Sequence, residues 1–164
     1  EVPWAIVTVA PGTEVTLVDP EASRRALADG FDLRFETPSS LDGEFDVLIN
    51  ASASDAALGQ AINHAGSEAR IVEASWHGEK PVTIPLGGAF HSRRLTLASS
   101  QVGSIAACHA ARWDFARRLA KALELLRDPR LDALISGESA FRDVETDYPA
   151  ILADPATLCH RIRY

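Results

Sequence analysis

The run TEVTLVDPEASRRAL, residues 13–27, carries a short apolar/polar alternation to an acid, Asp19, then a proline and a helix-forming stretch. A carboxylate at the tip of a strand accepts hydrogen bonds from the two hydroxyls of a ribose and repels an additional phosphate. The same residue also serves as a cap for a helix beginning at Pro20. These residues alone leave both readings open. Arg24 and Arg25 follow, and one of them either lies over an aromatic base or reaches a phosphate, or the pair solvates a helix face. Arg93 and Arg94 pose the same choice. Asn50-Ala51-Ser52-Ala53-Ser54 follows an apolar strand with small side chains that let a flat ligand approach the backbone; the alternative is a plain strand-to-helix turn. Ser99-Ser100-Gln101-Val102-Gly103-Ser104 is a polar, glycine-bearing strand end whose backbone a carboxamide can bond, or else a polar edge strand. His77 sits in a loop, touching a ligand or lying on the surface.

These positions need elements to hold them. Residues 13–20 read as a strand, and 20–30 as a helix with Gly30 as its C-cap. A short strand is expected over 32–36. FDVLINAS, 45–52, has the unbroken apolar run of a strand buried on both faces of a parallel sheet. A helix capped by Ser54 or Asp55 follows and ends at Gly66. ARIVEASW, 69–76, is the next strand. HGEKPVTIPLGGAFHS is a long loop, a length that suggests function. Residues 93–104 form a further strand and 111–129 the clearest helix, with Trp113, Ala116, Leu119, Ala120, Leu123 and Leu126 on one apolar face. A strand and turn, a short acidic helix and a closing strand over 157–164 complete the chain. Strands alternating with helices through short connections predict an α/β fold with a parallel sheet covered by helices. Residues 3–10 read alone as a strand, but only Pro11 and Gly12 separate them from the next one, too few for a parallel crossover. The preferred reading makes them the tail of a helix.

The composition narrows the function. The 164 residues suffice for one domain, and 46% apolar with 24% charged residues is ordinary globular usage. A net charge of −7 argues against nucleic acid as the main partner, since phosphate binding needs a basic face. No apolar run approaches the roughly 18 residues of a membrane span, and no signal-peptide pattern is present, so no membrane partner is expected and cytoplasmic localisation is the default. Cys108 and Cys159 belong to no CxxC pair and read as reduced thiols. The five histidines show no zinc-ligand spacing, so zinc is not supported. No GxSxG, GxxxxGK[ST] or close Ser–His pair marks a nucleophile, and a spatial triad is the weakest option. The chain begins with Glu1 and contains no methionine, which leads to the expectation that it belongs to a longer polypeptide.

Taken in order, EVTLVDP, FDVLINASAS, ARIVEASWHG, RRLTLASSQVGS, RWDFARRLAKALELL, LDALIS and the final strand ending at Tyr164 resemble the cofactor-binding half of the medium-chain dehydrogenase/reductase superfamily, the zinc-type alcohol dehydrogenase-like proteins. The resemblance spans roughly residues 13–164. It implies a Rossmann-like, doubly wound, mostly parallel sheet with helices on both faces, as a single domain with a C-terminal return segment over about 130–164. It implies a small-molecule dinucleotide, NAD with NADP possible, held at its ribose by Asp19 with Arg24 nearby. Ala51, Ser52, Trp76, His77, Gln101, Val102 and Gly103 would line the nicotinamide side, and a homodimer would form through the strand around Ser99–Ser104. The implied activity is hydride transfer between an alcohol or carbonyl substrate and the cofactor. The sequence departs from the family in two places. The glycine-rich loop of the first βα unit is missing, as is the N-terminal catalytic domain, so no catalytic residue carries over. Without them, the alternative is a non-catalytic fold remnant used for dimerisation or weak nucleotide binding.

Overall fold

Residues 12–164 are described by the computed structural model; the expectation for residues 3–10 lies outside them. Strand β1 covers Thr16–Val18, and a one-turn 3₁₀ helix, Ala22–Arg24, leads into α1, Arg25–Gly30. Gly30 is the last helical residue rather than the cap. The left-handed turn that leaves the helix is made by Asp32, at φ 57°, a conformation that Asp tolerates better than most side chains. Strand β2, Arg34–Glu36, returns beside β1. The bonds Arg34 N–H to Val15 O and Asp19 N–H to Glu36 O climb both strands in the same direction, as in a parallel pair.

Strand β3, Phe45–Asn50, is followed by α2, Asp55–Asn63, β4, Ala65–Glu73, the four-residue helix α3, Ala89–Ser92, and β5, Thr96–Ser99. These strands form a parallel sheet in the order β3-β4-β5. The Ser54 hydroxyl caps α2 by accepting from Ala57 N–H, and Leu58 and Ile62, one turn apart, are buried. They pack with Ala65, Ala69, Ile71 and Leu95 as a core that the loop residues Val82 and Ile84 extend. Gly66, expected to end the helix, is already the second residue of β4; His64 caps α2 instead.

β3 is not buried on both faces. Leu48 packs on the α2 core and Asn50 is buried, while Val47 and Ile49, pointing the other way, are exposed. An apolar run therefore marked a strand correctly but overstated its cover.

The remaining elements are α4, Phe115–Leu125, a 3₁₀ stretch Pro129–Leu134, β6, Ile135–Ala140, α5, Val144–Ala153, and β7, Cys159–Arg163, with β6 and β7 paired in parallel. Leu125, Leu131 and Leu134 join Val15 and Leu17 around a second core of Ala28, Phe31, Leu33 and Phe35. The predicted apolar face of α4 points outward. Of its residues only Trp113, ahead of the helix, is half-buried; Leu119, Leu123 and Leu126 are more than half exposed, as is the neighbouring Phe115, and the half-buried side of the helix carries Arg118, Lys121 and Leu125.

The chain divides into two compact units. Among the described residues, one gathers residues 12–17 with Glu21–Phe35 and Phe115–Tyr164; the other holds Val18–Pro20 and Glu36–Asp114. Taken separately, the strand runs β2-β1 and β3-β4-β5 follow the 3-2 and 4-5-6 stretches of a doubly wound sheet. The architecture is α/β and Rossmann-like, with mostly parallel strands and helices on both sides.

Candidate functional site

In open α/β sheets the crevice outside the carboxyl ends of the strands receives the ligand. Here three strand ends come level, with Asn50 of β3 paired to Glu73 of β4 and Glu73 to Ser99 of β5. The segments beyond them are Ala51–Ser54, Ala74–Lys80 and Ser100–Ser104, so the expected residues Ala51, Ser52, Trp76, His77, Gln101, Val102 and Gly103 all lie at one rim. All of them but His77 are exposed there.

Side chains weld the β3 and β4 ends together. Glu73 accepts from Asn50 Nδ2 at 2.7 Å and from Ser75 N–H at 2.9 Å. Asn50 Oδ1 accepts from the Ser52 hydroxyl at 2.7 Å and from Ser52 N–H at 3.2 Å. The Ser75 hydroxyl accepts from Ala53 N–H at 2.9 Å and donates to Asn50 O at 3.3 Å. Ala53 stands at φ 53°, left-handed backbone that an L side chain disfavours by about 1 kcal/mol, and this network holds it there. A buried polar network with its members bonded is rigid. The backbone at Ala51–Ser52 is thus fixed before any ligand arrives.

His77 is not a surface histidine. Its side chain is 11% exposed, with Nε2 3.5 Å from Glu73 Oε2 and Nδ1 3.6 Å from Asp55 Oδ1, and Lys80 Nζ reaches the same Asp55 oxygen at 3.1 Å. The first residues of the long loop are thereby pinned to the start of α2 and the end of β4. Neighbouring Trp76, 85% exposed, turns its indole outward. Burial works to raise the Glu73 carboxyl, but hydrogen bonds from Ser75 and Asn50 outweigh it and hold the group below the usual carboxylate range. The hydrogen bond from Lys80 holds Asp55 below that range against its own desolvation. Both are ionised at neutral pH.

At the β5 end, the Gln101 side-chain oxygen accepts from Gly103 N–H, and a Cβ on Gly103 would meet that oxygen at 3.0 Å. Glycine keeps this turn closed, leaving Val102 78% exposed. Asp19 follows β1 directly, and its N–H donates to Glu36 O. The Arg24 guanidinium donates to Pro155 O at 2.7 Å, while Arg25 lies over the Phe35 ring. Arg93 donates to Ala65 O at 2.7 Å and pairs with Glu44, which gives it a structural role.

The sequence does not single out Glu73 or Ser75, and it marks Asp55 only as a candidate helix cap. Glu73 did leave a signal, as a charged residue inside the apolar run ARIVEAS, where an ionised group needs partners.

A second polar cluster lies away from this rim. The Ser139 hydroxyl donates to Asp147 at 2.6 Å and accepts from His160 Nε2 at 2.9 Å. Serine, histidine and aspartate meet, but the carboxylate bonds the serine instead of orienting the imidazole, so the order of a catalytic triad is not met. The cluster ties α5 to β6 and β7. Among the described residues, no three or more His, Cys, Asp or Glu side chains gather to hold a metal, and no helix is long and apolar enough to cross a membrane. Cys108 and Cys159 are free and exposed.

No protein-family model matches the sequence, and no curated protein matches it. Solved structures do match in fold. L-idonate 5-dehydrogenase from Escherichia coli K-12 superposes with a TM-score of 0.78 over 99% of this chain at 15% identity. An alcohol dehydrogenase from E. coli CFT073, complexed with cofactor NADH, gives 0.74 over 96% at 16% identity. 2R,3R-butanediol dehydrogenase from Bacillus subtilis gives 0.73 over 98%, also at 16%. The chain spans 46% of the length of each of these three dehydrogenases.

Proposed function

We propose that this chain is the cofactor-binding part of an NAD-dependent oxidoreductase of the alcohol dehydrogenase-like type, belonging to the medium-chain dehydrogenase/reductase superfamily. The parent activity is hydride transfer between an alcohol or carbonyl group and a nicotinamide. The observation that carries this reading is the level row Asn50–Glu73–Ser99, with its prebuilt polar loop, on a fold shared with an NADH-complexed alcohol dehydrogenase.

The residues present fit two parts of the dinucleotide. Asp19, at the tip of β1, accepts from the ribose hydroxyls and disfavours a 2′-phosphate, which selects NAD over NADP. At the rim, the small and exposed Ala51 and Ser52 leave room for a flat ring over fixed backbone. Trp76 offers a stacking face, and His77 holds the loop that carries it. The turn Gln101–Gly103 presents backbone and amide groups to a carboxamide. Arg24 would have to exchange Pro155 O for a phosphate or adenine contact. The sequence contains no G-x-G-x-x-G loop, whose N–H groups would cradle the pyrophosphate, so affinity from these residues alone is modest. The bound cofactor supplies the hydride chemistry, and the protein supplies position. A homodimer would extend the β3-β4-β5 sheet at the side of β5 that pairs with no strand among the described residues.

Calorimetric titration with NADH and NADPH tests the reading. NADH should bind at least tenfold more tightly than NADPH, and Asp19→Ala should remove most of that difference. Equal binding of the two, or binding of neither, would contradict it.

A further inference from the structure

Glu73 stands at the end of the middle strand of the three-stranded sheet. Its side chain is 15% exposed and is bonded to neutral donors, the Asn50 amide and Ser75 N–H, with the His77 ring nitrogen Nε2 3.5 Å away. Lys80, the cation of this rim, is committed to Asp55 instead. The centre of the rim therefore carries a shielded carboxylate that no lysine or arginine neutralises among the described residues. Three residues further on, Trp76 presents an open indole face.

A carboxylate screened from water and an exposed aromatic face together recognise a flat organic cation. The ring quadrupole attracts the cation, and reduced solvent screening strengthens the attraction of the acid. The two redox forms of nicotinamide differ in this property. The oxidised ring is a cationic pyridinium, whereas the reduced ring is a neutral dihydropyridine of nearly the same outline. Charge is the largest difference between them that a site can read.

We infer that Glu73, with Trp76, makes this rim selective for the oxidised, cationic form of the nicotinamide ring. The inference rests on the proposed function for the dinucleotide, but the ring can be tested by itself. Small residues alone would favour neither form, so the selectivity is assigned to Glu73.

The experiment follows the amide signals of Ala51, Ser52 and Gln101–Gly103 by NMR while 1-methylnicotinamide, a cation, or nicotinamide, its neutral counterpart, is titrated into the chain. The expected result is at least fivefold tighter binding of the cation. Glu73→Asp, which keeps the charge, should retain the preference, and Glu73→Gln should bring the two probes within twofold of each other. Trp76→Ala, at an exposed position that the fold does not need, should weaken the cation at least threefold. Equal binding of both probes to the unaltered chain, a preference that survives Glu73→Gln, or no response to either probe would overturn the inference. Parallel titrations with NAD⁺ and NADH separate the two claims. If neither dinucleotide binds while the cation preference persists, the cofactor reading fails and the ring selectivity stands. If both dinucleotides bind equally well, the selectivity fails and the cofactor reading stands.

Discussion

At the scale of single residues, the site is defined by groups held against their own preference. Ala53 occupies left-handed backbone because the Ser75 hydroxyl accepts its N–H, and Glu73 is ionised in a place where burial disfavours charge. Two outcomes follow. Ala53→Gly relieves the backbone strain and should stabilise the chain by about 0.5–1 kcal/mol, as urea denaturation would show. Because the folded state holds the Glu73 carboxyl below its ordinary value of 4.5, its contribution is fully present above about that pH and is lost as pH falls through the lower folded value. Wild-type stability should therefore decline on acidification below pH 4.5, and Glu73→Gln should flatten that part of the curve. The sequence drew attention to Ala51, Ser52, Trp76 and His77 because small or aromatic residues after a strand are legible as a ligand edge. It did not single out Glu73, whose importance depends on pairing with Asn50 across 23 positions. It also left open that His77 is a clasp between two acids, since Asp55 lies 22 residues before it in the sequence.

At the scale of elements, periodicity identified the helices and most strands, while their surroundings decided what each face meets. The stripe of α4 was visible at helical spacing, but spacing cannot tell which side of a helix its neighbours occupy. Leu125 makes the core contact, and Leu119, Leu123 and Leu126 remain open. Leu123→Ala should consequently cost less than about 0.5 kcal/mol. Ile62→Ala in α2, at a site 1% exposed, should cost about 2–5 kcal/mol in the same denaturation experiment. The reverse ranking would show that the α4 stripe is a core face. Glycine was also over-read as helix punctuation. Gly30 and Gly66 do not cap, because Asp32 makes the first left-handed turn and β4 starts at Ala65 before the second glycine.

At the scale of the whole molecule, the α/β alternation was legible because buried parallel strands leave apolar runs and short connections leave turn residues. The division into two compact units was not, because it depends on contacts between distant segments, such as Leu125 and Leu131 with the core of Ala28, Phe31, Leu33 and Phe35. The match to dehydrogenases of about twice this length, at 15–16% identity, is a match of fold, and it agrees with the α/β alternation read from the sequence. The central claim, that the β3–β5 rim and Asp19 receive a nicotinamide dinucleotide, is tested most directly by mapping NADH onto the chain through backbone amide shifts in NMR. The signals that should move are those of Asp19, Ala51–Ala53, Trp76–His77 and Gln101–Gly103. Shifts confined to other segments, or none at saturating NADH, would contradict it.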